Sequence, residues 1–248
     1  MEGKRRYRLL DFLRGVSLVN MVAYHLLYDL VYLFGVRIEW YHGAGAYWWQ
    51  QLICGSFILF AGASCRLSRN NLKRGAQLLA FGVVLGRVTA FVMPQQQVRF
   101  GILHFMGIAC LLAGLLRPVL ERVMPACGAL VALFFFLLTR GVGRGWLGFL
   151  GHPLVYLPEG LYQTAFLYPL GFPGPGFFSS DYFPLLPWFF LFLLGFFLWP
   201  MVQGMDVLEW PQQPNPISWA GRRTVWIYLA HQPVLYGICW MLERVGVL

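Results

Sequence analysis

With 248 residues, 58% of them hydrophobic and only 12% charged, the chain has too few polar side chains to cover a soluble globule. The formal charge of +9 does not point to nucleic acid, because the basic residues cluster beside apolar stretches, where membrane proteins carry them. Cys54, Cys65, Cys110, Cys127 and Cys239 lie in or beside apolar runs and form no C-x-x-C pair, so neither a zinc site nor a disulfide framework is indicated.

A membrane-crossing helix needs about 20 mainly apolar residues. Seven segments come near that length: 9–34, 46–65, 75–93, 100–117, 121–139, 183–202 and 222–242. The expectation is an all-α integral membrane protein, a polytopic bundle of about seven helices forming one domain over 1–248. The basic start, Lys4-Arg5-Arg6, resembles the charged region of a signal peptide. No A-x-A-like site follows and the apolar run continues past Phe34, which predicts a retained first helix.

That first helix carries Asp11, Arg14, His25 and Asp29. A charge in hydrocarbon costs at least about 2.5–3.5 kcal/mol, so such residues turn to the bundle interior or to a wet cavity. Arg14 and His25 are three helical turns apart, on one face, about 16 Å along the axis. Asp11 at i−3 from Arg14 and Asp29 at i+4 from His25 join the same face. One reading is structural: an Asp11–Arg14 ion pair and a His25–Asp29 pair that holds two helices together. The other is functional: a fixed positive charge toward the inside and a titratable base further out. His42 follows in the short outer loop.

Further along, the 66–74 connection is basic, with Arg66, Arg69, Lys73 and Arg74. Arg87 lies within the third segment, from which it can snorkel to the interface. His104 stands near the start of the fourth. The 140–182 stretch holds nine Gly and five Pro, and its apolar runs, 146–157 and 161–170, are too short to span. They predict interfacial or re-entrant backbone on the outer side. Asp181 closes this stretch before Tyr182-Phe-Pro-Leu-Leu-Pro-Trp188. A second polar connection, 203–223, leads to the last segment with His231 and Gln232, where Pro233 frees a carbonyl and can kink the helix.

Flanking charge sets orientation. With the N-terminus inside, twelve basic residues face in: Lys4, Arg5, Arg6, Arg8, Arg66, Arg69, Lys73, Arg74, Arg117, Arg122, Arg222 and Arg223. Five face out: Arg37, Arg99, Arg140, Arg144 and Arg244. This predicts an N-terminus in and a C-terminus out, with 140–182 adding no crossing. The sequence has no Walker-type G-x-x-x-x-G-K-[ST], no H-E-x-x-H and no G-x-S-x-G.

Leu10-Asp-Phe-Leu-Arg-Gly15 followed by His25 resembles the first-helix signature of transmembrane acyltransferases, an Arg or Lys, ten residues, then His. Four ordered blocks, Asp11 to Asp29, Arg99 to Ile108, Asp181 to Gly195 and Gly221 to Pro233, resemble the heparan-alpha-glucosaminide N-acetyltransferase catalytic-domain family in its short bacterial form. The resemblance implies transfer of an acyl group, acetyl by analogy, from cytoplasmic acyl-CoA to a hydroxyl or amine of an extracytoplasmic glycan or small-molecule acceptor. In the broader superfamily the first-helix His, here His25, is the base. In the heparan enzymes that position is Asn, and the catalytic His lies before the second helix, where His42 is the nearest residue here. The tryptophan-asparagine run that follows it in those enzymes is absent. His25 is favoured over His42.

On this reading His25 takes a proton from the attacking group, Asp29 orients the ring, and Arg14 or Arg66, Arg69, Lys73 and Arg74 hold CoA phosphates. His104, Asp181, His231 and Gln232 line the acceptor pocket. No metal is expected. The partners are acyl-CoA, the bilayer and the acceptor, in a multi-pass protein of the cell membrane; a homo-oligomer is compatible with the sequence. Two rivals share the polar stripe: a permease for a small polar or lipid-linked molecule, and a non-catalytic scaffold.

Overall fold

The fold is that of a computed structural model, which describes residues 7–248. Lys4, Arg5 and Arg6, counted above on the inside, lie outside the described residues. The helices in chain order are α1 (Arg8–Tyr28), α2 (Ala44–Leu67), α3 (Asn71–Val92), α4 (Ile102–Leu115), α5 (Arg117–Leu120), α6 (Pro125–Leu138), α7 (Leu185–Val202), α8 (Pro216–Arg222) and α9 (Thr224–Arg244). Two strands, β1 (Trp146–Phe149) and β2 (His152–Tyr156), follow α6.

Five helical segments among the described residues are long and apolar enough to cross a membrane: Arg8–Leu33, Asn71–Val92, Pro125–Arg144, Leu185–Val202 and Thr224–Arg244. The expected span at 46–65 forms α2, whose 24 residues carry a polar and aromatic run, Tyr47-Trp-Trp-Gln-Gln51, in the first two turns. The expected span at 100–117 is α4, only 14 residues long.

The chain divides into two compact units, Met1–Phe57 with Gln203–Leu248, and Ile58–Val202. In the first unit, α1 buries Gly15, Ser17, Leu18 and Met21 on one face. Leu18, Met21 and Ile53 form a core with Trp49, Phe57, Ile227 and Tyr228 packed on it. Ser17 and Ser56 join hydroxyls at 2.8 Å, and the Trp49 indole N–H donates to Asn20 Oδ1 at 3.0 Å. These bonds satisfy polar groups that an apolar environment would penalise.

The α1–α8 crossing is made by glycine. A methyl on Gly15 would overlap the Ile217 carbonyl, and one on Gly221 would overlap the Asp11 carbonyl. Small residues of this kind let helix backbones approach where no hydrophobic driving force separates helix from lipid. Asn215 starts α8 by accepting from the Ser218 amide at 2.8 Å, with Pro216 at the first helical position.

In the second unit, α4 packs on α3 and α7 on α6. Eight of the 14 residues of α4 are buried, as expected of a helix apolar all round. The segments before α4 and α7 run side by side: Phe100 bridges Tyr182, Phe183 N donates to Phe100 O at 2.9 Å, and Ser180 N donates to Gln97 O at 3.1 Å. Two of the sequence blocks singled out above, at Arg99 and at Asp181, are thereby joined. The apolar run 146–157 is an antiparallel ribbon of β1 and β2, its turn at Leu150 (φ 51°) and Gly151 (φ 89°). Every residue of β2 is exposed.

Candidate functional site

The first unit concentrates the polar residues of its two longest helices. After Tyr28 the chain widens into a π-helical turn, Asp29–Leu33, closed by the Phe34 amide on the Asp29 carbonyl at 3.0 Å. Such turns are frequent at functional sites. Asp29 is fully buried, 0% exposed. Its Oδ1 accepts from the Gln232 side-chain amide at 2.6 Å, a bond between two residues 203 apart in the chain. Among the described residues, Asp29 Oδ2 and Gln232 Oε1 have no hydrogen-bond partner.

His25 and His231 meet across the same pair of helices, with ring centroids 4.9 Å apart and planes inclined by 75°. His231 is 8% exposed; its Nδ1 donates to the Tyr228 carbonyl, and its Nε2 is without a partner among the described residues. His25 is half-buried. Asp29 was expected to orient His25. Its carboxylate is instead joined to Gln232, and no described hydrogen bond links Asp29 to the His25 ring.

An aromatic wall that sequence reasoning did not single out adjoins His25. Tyr24 stands edge-on to His25 at 6.1 Å and to Trp49 at 5.4 Å, and packs on Tyr41 at 5.2 Å. The Tyr41 hydroxyl donates to the Tyr24 carbonyl at 2.9 Å. Burial pushes the Tyr41 phenol above its ordinary range. The Tyr24, Tyr28, Tyr32 spacing of four was the available signal for this wall, and it reads equally as a packing stripe. His42 lies beside Tyr32, whose ring is 6.1 Å from that of Tyr41. It is exposed, and its Nδ1 is 3.3 Å from the Tyr32 hydroxyl. Arg14 pairs with Asp11 at 3.8 Å, so the ion pair of the structural reading is present.

The remaining candidates belong to the second unit. His104 is 8% exposed, stacks on Phe100 at 5.8 Å, and leaves Nδ1 without a partner among the described residues. Gly82 and Gly86 make room for it, since a methyl on Gly82 would lie 3.1 Å from Nδ1. Asp181 Oδ2 accepts from the Ile102 amide at 2.9 Å, which satisfies one of the free donors at the start of α4. Arg66 pairs with Glu121 at 3.5 Å and lies over the Phe196 ring at 4.9 Å. Arg117 holds the same Glu121 at 2.9 Å and donates to the Ser68 carbonyl at 2.6 Å. Arg69 and Lys73 are exposed and Arg74 is half-buried. Among the described residues, no three His, Cys, Asp or Glu side chains cluster as a metal site.

A fully buried carboxylate, two imidazoles in edge contact and a side-chain amide thus form a polar centre between the apolar helices α1 and α9. The family model for heparan-alpha-glucosaminide N-acetyltransferase, catalytic, matches residues 6–233, and the chain belongs to that family. No curated protein and no solved structure matches the chain.

Proposed function

We propose that the protein transfers an acetyl group from cytoplasmic acetyl-CoA to a hydroxyl or amine of an extracytoplasmic, sugar-containing acceptor. The observation that carries this reading is the contact of His25 with His231 beside the buried Asp29 and its partner Gln232, in a chain of an acetyltransferase family. His25 is the base. As the acceptor attacks the acyl carbon, its proton goes to His25 and the CoA thiolate leaves. Asp29, held by Gln232, supplies negative charge beside the imidazolium that forms. His42, beside Tyr32, is the alternative base.

Arg14 lines the donor path, and the exposed Arg69 and Lys73, with Arg66 and Arg74, draw the CoA phosphates. Arg66 is the weakest member of this set because Glu121 already engages it. His104 serves the acceptor side, on a helix start fixed by Asp181. The reading is of a single catalytic domain in the cell membrane, with about seven crossings, the N-terminus inside and the C-terminus outside.

The test is transfer of radiolabelled acetyl from acetyl-CoA to a bacterial membrane-glycan extract by purified protein in proteoliposomes. The His25→Ala variant is expected to lose transfer while remaining folded. His42→Ala is expected to stay within a few-fold of the parent. Full turnover in His25→Ala would remove His25 from the reaction, and loss in His42→Ala alone would move the base to that residue.

A further inference from the structure

The tautomer of His231 is fixed by its own helix. Nδ1 lies within hydrogen-bond reach of the Tyr228 carbonyl oxygen, nearly one turn back. A carbonyl only accepts, so Nδ1 carries the hydrogen and a neutral ring keeps its lone pair on Nε2. That acceptor nitrogen is buried and has no partner among the described residues. An unmet buried acceptor is costly, and the His231 ring lies edge-on to the His25 ring, centroids 4.9 Å apart. The Tyr228 ring also packs on that of His231, centroids 5.4 Å apart.

The Asp29 carboxylate is engaged on one oxygen by the neighbouring residue of α9, and its Oδ2 has no partner among the described residues. Asp29 Oδ1 takes the Gln232 amide, and Gln232 is the next residue after His231. That bond clamps the stretch of α9 bearing His231 against the end of α1.

We propose that His231 is the positioning partner of His25: the rings are in edge contact without a described hydrogen bond between them, and when the acceptor engages the site His231 Nε2 accepts the His25 N–H, which fixes the His25 tautomer and leaves the other His25 nitrogen free to take the acceptor's proton. The inference rests on the acetyl-transfer reading for its chemistry. The acceptor's O–H or N–H bond breaks, its proton goes to the free His25 nitrogen, and its electron pair bonds the acetyl carbon. The carbon–sulfur bond breaks and its electrons leave on the CoA thiolate. His231 Nε2 takes up part of the imidazolium charge through the shared N–H, and the proton then passes to the thiolate.

The first test needs no turnover. In the full chain labelled with 15N-histidine and held in lipid nanodiscs, His231 is expected to show a protonated Nδ1 and an unprotonated Nε2. The Nε2 resonance should shift when His25→Ala removes the donor. A His231 protonated at Nε2, or one whose spectrum ignores His25→Ala, would overturn the inference. Absence of acetyl transfer in the parent protein would instead sink the acetyl-transfer reading, with the histidine pair still judged by its spectrum.

The second test separates positioning from packing. His231→Asn keeps a donor for the Tyr228 carbonyl, whereas His231→Gln puts an acceptor oxygen near the place of Nε2. Transfer should fall about 100-fold in His231→Asn, the low end for a proton-transfer contribution, and be partly restored in His231→Gln. Parent-like transfer in His231→Asn would overturn the inference.

Discussion

Gln232 and Asp29 show how a single contact decides the character of a residue. On α1 alone, the four-residue spacing pairs Asp29 with His25, and that much was legible in the sequence. The partner it takes comes from α9, 203 residues away, and no local period announces such a contact. Replacing Gln232 by Leu leaves the fully buried carboxylate without its donor, which should cost about 1–3 kcal/mol. Thermal unfolding in detergent would register this as a lowered midpoint. Tyr41 carries a second expectation. Its phenol is raised by burial from an ordinary value of 10.0, so the folded state prefers it neutral. The stability it contributes is complete below pH 10 and is lost as pH rises above that value, because the unfolded chain ionises first. Tyr41→Phe should flatten the fall in unfolding midpoint measured on the alkaline side.

Elements were legible in proportion to their regularity. The helices at both ends of the chain follow their apolar runs within a few residues, since a run of that length has few other ways to satisfy its backbone in lipid. The ribbon was not legible. Its turn residues, Leu150 and Gly151, both have positive φ, and turns of that kind usually advertise themselves with Asn-Gly or Asp-Gly. A Leu in that place hides the signal. The glycine crossing of α1 and α8 was missed for another reason: Gly15 and Gly221 lie in separate segments, and neither looks unusual alone. Overpacking a close crossing costs about 1–3 kcal/mol. Gly15→Leu should lose at least that much, since the added side chain meets the Ile217 backbone rather than a movable side chain. Gel filtration in detergent and a thermal melt would detect the loss.

For the whole molecule, the charge asymmetry gives the orientation a direct test. A cysteine at Arg69 should react with an impermeant maleimide only from the cytoplasmic side, and one at Arg144 only from the outside, in a background with Cys127 replaced because it is exposed. Labelling of both from one side would refute the proposed arrangement. The number of crossings was the least legible quantity, because length and hydropathy are graded. The 14 residues of α4 fall short of a span, although most of them are buried. The polar centre was half legible: both histidines and both polar partners could be named, but not which of them touch.

One consequence remains in β1 and β2. A lone pair of strands leaves an outer row of peptide groups unmet on each margin, and oil offers them nothing to bond. Residues 146–156 therefore have to stay where water or lipid headgroups can reach them. On the proposed topology the polypeptide emerging from α6 would then still be at the surface when it passes this point, and the ribbon would act as a float that marks the waterline for α6 and turns the chain back toward α7.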